Sequence, residues 1–215
     1  PVNLKFCIEG EEEIASPHLP AFLEKHADML KADLVVLSDG PMLDKDTPSI
    51  CVGLRGLCGF ELTVRGPSTD LHSGLYGGGV ANPIAALAQL LASMRHPDGR
   101  IAVEGFYDGV HELTEEDHRW YRLIPFDEAA LLRDLDVPEL HGEKGYTFHE
   151  RTTARPTLEI NGIGGGHQGE GLKTIIPSSA FAKISCRLVD RQDPDEIMDK
   201  IEAHIRKHKP PGVTV

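Results

Sequence analysis

From Cys58 to the end of the chain, the spacing of apolar residues switches between a period of two and a period near 3.6 in an order that few folds accommodate. "CGFELTVRGP" alternates as a strand, and "NPIAALAQLLASM" follows as a helix capped by Asn82 with Pro83 in its first turn. "GRIAVEGF" reads as a shorter strand, and "RPTLEINGI" and "AFAKISCRLV" as two more. Asp193 and Pro194 then open the helix "PDEIMDKIEAHIRKH", with acids at its head and Arg206, Lys207 and Lys209 at its tail, as the helix dipole favours. Strand, helix, strand, strand, helix, strand is the ferredoxin-like order. An acidic, partly helical insertion, about residues 107–154, interrupts it, with helix starts at Thr114 and Asp127.

The first fifty residues follow another pattern. "VNLKFCI" alternates as a strand, Ser16 and Pro17 read as the cap and first position of a helix, and Leu19, Phe22, Leu23 and Leu30 are expected to form its buried stripe. "ADLVVLSDG" is a continuous apolar run ending in Ser38, Asp39 and Gly40, the signature of a parallel strand covered on both faces. The expected architecture is therefore α/β and α+β: residues 1–53 as part of a doubly wound sheet, residues 54–215 as a ferredoxin-like domain. Both ends read as cut, the chain opening within "PVNLKFCI" and closing on "PPGVTV", so a longer parent is expected.

Composition removes several classes of partner. A net charge of -12 with scattered basic residues argues against nucleic acid and against an anionic membrane surface. No apolar run approaches the roughly 18 residues of a spanning helix. The four cysteines, Cys7, Cys51, Cys58 and Cys186, lack paired spacing for zinc and read as buried thiols of a reducing, cytoplasmic protein.

Three sequence features carry candidate chemistry. "CIEGEEEIAS" crowds Glu11, Glu12 and Glu13 where the first strand should end, and Asp39 ends the next. Such a run is most often a solvated turn, but adjacent carboxylates can also divide labour, one binding a cation and its neighbour taking a proton from bound water. His72 stands in "DLHSGLYGGGVANP", a loop whose glycines permit close backbone approach. Arg187 is a strand charge among apolar neighbours, either paired within the fold or waiting for a ligand's carboxylate. Two further matches are discounted. Gly164, Gly166 and Gly169 fit a dinucleotide fingerprint but precede no helix, and the H-x-D spacing of His26 and Asp28 lies within an amphipathic helix.

Taken together, "EGEEEIAS", "LSDG", "DLHSGLYGGGVANP", "GLKTIIP" and "KISCRLVD" resemble, in the same order along nearly the whole chain, the dinuclear-zinc metallopeptidases that include dipeptidases, carnosinase and aminoacylase. The resemblance implies Glu12 as general base, Glu13 and Asp39 as metal ligands, and His72 as the histidine a lid lends across a dimer interface to the tetrahedral oxyanion. It implies Thr174 and Arg187 as the grip on the substrate's carboxylate. The implied cofactors are two Zn2+ ions, with Mn2+ or Co2+ as alternatives. The implied partners are a dipeptide or N-acyl amino acid and a second copy of the chain.

One departure is large. The family also uses an earlier H-x-D pair and a final histidine, and neither has a counterpart in these 215 residues. With two of five ligands, the chain alone is expected to hold metal poorly and to hydrolyse nothing. A non-catalytic dimerisation and substrate-lid module is the competing reading.

Overall fold

The computed structural model describes residues 2–37, 39–40, 42–43 and 45–215. The chain divides into two units, Pro1–Val52 and Gly53–Val215. In the first, a single 3-10 turn, Glu12–Ile14, precedes α1 (Leu19–Lys25) and α2 (Ala27–Leu30).

Two expectations fail in this unit. Neither "VNLKFCI" nor the described part of "ADLVVLSDG" is a strand, and Ser38 lies outside the described residues. A parallel strand needs hydrogen-bonding neighbours and cover on both faces. No strand among the described residues of the unit offers either, so Val2, Leu4, Phe6, Ile8 and the run Leu34, Val35, Val36, Leu37 remain exposed. The helix also starts later than the Ser16 and Pro17 pattern suggests. His18 occupies the N-cap position without a side-chain cap bond, because Ala15 and Ser16 both take positive φ as the 3-10 turn ends. His26 breaks the helix in two and packs its ring 4.7 Å from that of Phe22.

The second unit contains, in chain order, β1 (Gly56–Arg65), β2 (Leu71–His72), α3 (Ser73–Tyr76), α4 (Pro83–Ser93), α5 (Glu115–Tyr121), α6 (Glu128–Leu135), α7 (Phe148–Thr153), β3 (Thr157–Gly165), β4 (Ile175–Ile176), β5 (Ser179–Leu188) and α8 (Pro194–His208). The main sheet has the order β1-β5-β3 and is antiparallel throughout; β2 and β4 form a separate ladder. Thr214 bridges Arg65, placing the chain end beside β1. The ferredoxin-like order is thus realised with β3 as its second strand. "GRIAVEGF" is no strand: it retains one bridge, Arg95 to Ile101, and then turns.

Helices α4 and α8 cover one face of this sheet. β5 alternates strictly, burying Ala180, Ala182, Ile184, Cys186 and Leu188 and turning Lys183 and Arg187 outward. Ala86, Leu87, Leu90 and Leu91 of α4 and Ile197, Ile201 and Ile205 of α8 fill the opposite side of the core. Each fully buried Leu or Ile contributes about 1.5–3 kcal/mol. His204 joins them, with Nε2 3.0 Å from Ser93 Oγ and its ring stacked at 4.2 Å on His208. Of the cysteines, only Cys186 is buried; Cys58 is half-buried opposite it in register, while Cys7 and Cys51 are exposed. Burial pushes the Cys186 thiol up to about 12.

The insertion has its own polar core. Thr114 and Asp127 cap α5 and α6 as the sequence predicts. Thr147 caps α7 in a reciprocal box with Glu150, a "TFHE" signal that sequence reading passed over. Glu150, 1% exposed, accepts from the Thr147 amide at 2.6 Å and pairs with His118 Nδ1 at 2.6 Å. Arg155, 3% exposed, donates to both oxygens of Glu143 at 3.0 and 2.8 Å and lies between the rings of Tyr107 and Tyr146. Burial works against the Arg155 charge, but Glu143 outweighs it and the pKa rises.

Glu143→Ala is expected to cost about 3–5 kcal/mol in urea unfolding, because it strands a buried guanidinium. Replacing both Glu143 and Arg155 by Met should cost less than this; an unchanged midpoint in the single variant contradicts the account.

A second expectation concerns acid. Burial raises the Glu150 pKa, yet the Thr147 amide and His118 hold it below the ordinary 4.5. A depressed folded-state pKa adds stability that is complete above the unfolded value and is lost as pH falls through the folded one. Urea midpoints should therefore drop below about pH 4.5, and Glu150→Gln should flatten that acid limb.

Candidate functional site

The two groups of candidate residues lie in different units. Glu12 and Glu13 occupy consecutive positions of the 3-10 turn, and both are exposed. With three residues per turn, neighbouring side chains project about 120° apart, so two adjacent carboxylates on such a turn face different targets. Glu11 is engaged separately, its carboxylate 2.9 Å from His18 Nδ1. Asp39 is exposed in irregular chain. Among the described residues, no three His, Cys, Asp or Glu side chains gather as a metal-holding group. The described donors by themselves do not make up a metal site.

In the second unit, the chain itself builds a defined pair. His72 ends β2 opposite Ile175, and the Ser73 amide donates to the Thr174 carbonyl at 3.1 Å, so the ladder sets His72 and Thr174 side by side. Asp70 anchors the approach by accepting from the Ser178 amide at 2.9 Å. The imidazole is oriented locally. Its Nδ1 accepts from the Gly74 amide at 3.0 Å, which in the neutral ring assigns the remaining proton to Nε2. Nε2 lies 3.4 Å from Thr174 Oγ1 and is exposed beyond it. The result is an N–H donor and a hydroxyl on one surface, suited to an oxygen carrying negative charge.

Gly74 is required by close approach: a Cβ there would lie 2.8 Å from His72 Cε1. "DLHSG" therefore encodes the orientation of its own histidine. Sequence reading found His72 but not this amide; the only available signal was a glycine two residues on.

Arg187 is not part of this pair. It faces Leu57 and Thr157 near the far end of β5. From Ser179 to Arg187 is eight residues of strand, about 26 Å at roughly 3.3 Å per residue. His72 ends β2 and Thr174 directly precedes β4, the two strands of a ladder that comes before Ser179. Strand β5 thus carries Arg187 away from the end of the sheet where Ser179 follows that ladder, and no hydrogen bond or ion pair among the described residues links Arg187 to His72 or Thr174. Among the described residues, Arg187 has no carboxylate within salt-bridge distance and is exposed. Its charge is felt by Arg55, whose pKa is lowered by burial and then by Arg187.

The second unit is thus a ferredoxin-like sheet with helices on one face and an exposed histidine at the end of a short separate ladder. A sequence profile of the peptidase dimerisation domain matches residues 52–213, and the chain belongs to that family, the dimerisation domain of M20 peptidases. The Cys-Gly metallodipeptidase dug1 of Schizosaccharomyces pombe is 35% identical over 210 residues, covering 96% of this chain and 44% of that protein. The Beta-Ala-His dipeptidase of Homo sapiens is 34% identical over 95% of this chain and 41% of its own length. Among solved structures, the M20 family metallo-carboxypeptidase Sso-CP2 from Sulfolobus solfataricus matches with a TM-score of 0.79 at 35% identity, over 96% of this chain and 47% of that one. Human carnosine dipeptidase 1 matches with a TM-score of 0.80 at 32% identity, over 93% of this chain and 42% of that one. The chain spans less than half the length of these relatives.

The orientation of His72 is open to direct measurement. In 15N-detected spectra of the neutral imidazole, His72 should appear as the Nε2–H tautomer, with Nδ1 shifted as a hydrogen-bond acceptor. Gly74→Ala should displace the ring and move the tautomer ratio toward that of a free histidine; an unchanged ratio rules out the Gly74 amide as the orienting group.

Proposed function

We propose that this chain contributes the substrate lid and the dimer contact of a metal-dependent dipeptidase. The observation that carries the reading is that His72 and Thr174 stand together beside the start of β5 while Arg187 sits near its other end. If all three act on one substrate, they must come from two copies. His72 and Thr174 of one subunit would reach the oxyanion and carboxylate of a substrate whose carboxylate is also gripped by the other subunit's Arg187.

Glu12 is the general base in this reading. It takes a proton from the attacking water and passes it to the leaving amine. Glu13 and Asp39 would serve as metal ligands in the whole enzyme, for two Zn2+ ions or for Mn2+ or Co2+. The remaining donors are not supplied by the described residues. By itself, then, the chain acts as a lid and dimerisation module. The dipeptides in the relatives' names, Cys-Gly and Beta-Ala-His, define the substrate class to try, with N-acyl amino acids beside them.

The second copy has a surface to meet. β3 is paired only with β5 among the described residues, leaving its other edge open, and Ile160 and Ile163 are exposed on it. An open strand edge pairs readily with its own copy across a two-fold axis. No helix among the described residues is long and apolar enough to cross a membrane. A cytoplasmic location belongs to this reading, in keeping with the unlinked thiols of Cys58 and Cys186 set opposite each other in register.

The test uses the full-length enzyme. Glu12→Gln should abolish dipeptide hydrolysis while leaving metal content unchanged, and His72→Ala should be inactive as well. Mixing the two inactive variants under conditions of subunit exchange should restore part of the activity, since a site keeping Glu12 then receives His72 from its partner. If the mixture stays inactive although mixed dimers form, His72 does not act across the interface.

A further inference from the structure

Where the insertion meets the sheet, the unit carries a cavity of about 180 Å3 with a charge balance unlike that of the chain as a whole. Four guanidinium groups line it, those of Arg55, Arg95, Arg151 and Arg155, against two carboxylates, Glu143 and Glu159. Both carboxylates are engaged. Glu143 binds Arg155 through two hydrogen bonds, and Glu159 pairs with Arg95 at 3.2 Å.

Among the described residues, the other two arginines are held by carbonyl oxygens. Arg151 Nε donates to the Glu143 carbonyl at 2.9 Å, and Arg55 Nη1 donates to the Arg155 carbonyl at 3.4 Å. Neither has a carboxylate within salt-bridge distance among the described residues. A carbonyl fixes a guanidinium in place without neutralising it, so two oriented positive charges face one small space in a protein of net charge -12. Burial and then Arg187 disfavour the charge of Arg55, and Glu159 offsets them only in part.

The far wall is backbone. Gly99, at φ +88°, lies so close to Gly142 that a Cβ would come within 2.4 Å of the Gly142 carbonyl oxygen, and a Cβ on Gly142 would strike Arg151 Cδ at 2.7 Å. These two glycines let the loop close down and set the position of Arg151.

We infer that this cavity is a binding site for a small oxyanion, with Arg55 and Arg151 as its ligating groups. Guanidinium forks match the oxygens of a phosphate or a carboxylate, and the cavity is large enough for either group but not for a peptide. The site is separate from the His72 and Thr174 surface, and the inference does not rest on the dipeptidase reading.

The experiment is calorimetric titration of this 215-residue chain at constant ionic strength, with inorganic phosphate in one arm and succinate in the other. Saturable binding of at least one anion is expected. Arg55→Gln and Arg151→Gln should each weaken it by about tenfold or more, the usual loss of a charged hydrogen bond, while Arg119→Gln on the exposed face of α5 should not. Saturation by phosphate alone marks a phosphate site; saturation by succinate marks a carboxylate site. Absence of saturable heat in both arms, or affinity indifferent to both substitutions, overturns the inference. Should a variant lose its fold, phenylglyoxal labelling of the wild-type chain decides: the anion must protect Arg55 and Arg151 from modification, and equal labelling with and without anion counts against the site.

Discussion

β5 is hydrogen-bonded along both edges, and the core under the helices and the position of Arg187 both follow from it. Alternation along the strand sends Ala182, Ile184 and Cys186 under the helices and Arg187 to the open face. Slipping the register by one residue would bury Arg187 and expose the core set, an exchange costly enough to fix the pairing. The length of the same strand separates Arg187 from the ladder that holds His72 and Thr174.

The insertion is held by a different kind of interaction. Its centre is the Arg155 and Glu143 pair, closed between two tyrosine rings, with Glu150 and His118 beside it. A buried pair of this kind adds little net stability over an apolar replacement, but once buried each member needs the other. Burial, and then the bond to Glu112, also pushes the Tyr146 hydroxyl up to about 12, keeping it a neutral donor. These contacts seat the loop that forms the wall of the arginine-lined cavity.

Much of this was legible from local rules. Asn82, Thr114, Asp127 and Asp193 each cap the helix that their position suggests, because a cap is a contract between a side chain and amides two or three residues away. The failures have equally definite causes. "GRIAVEGF" has strand composition, but its neighbours leave it only one bridge. "VNLKFCI" and "ADLVVL" have the pattern of sheet strands, yet a strand is completed by its neighbours, and none is present among the described residues of that unit. His72, Thr174 and Arg187 could be singled out as candidates from the sequence, but which of them stand together could not.

The sequence by itself determined the helix caps, the inward face of β5 and the loop that orients His72, since all depend on residues a few positions apart. Tertiary structure alone decided that Thr174 stands beside His72, 102 residues away, and that Arg187 does not. It also decided which arginines find a carboxylate, pairing Arg155 and Arg95 while leaving Arg55 and Arg151 on carbonyl oxygens. The physical reason is that long-range pairing depends on strand register and loop closure, which no local propensity contains.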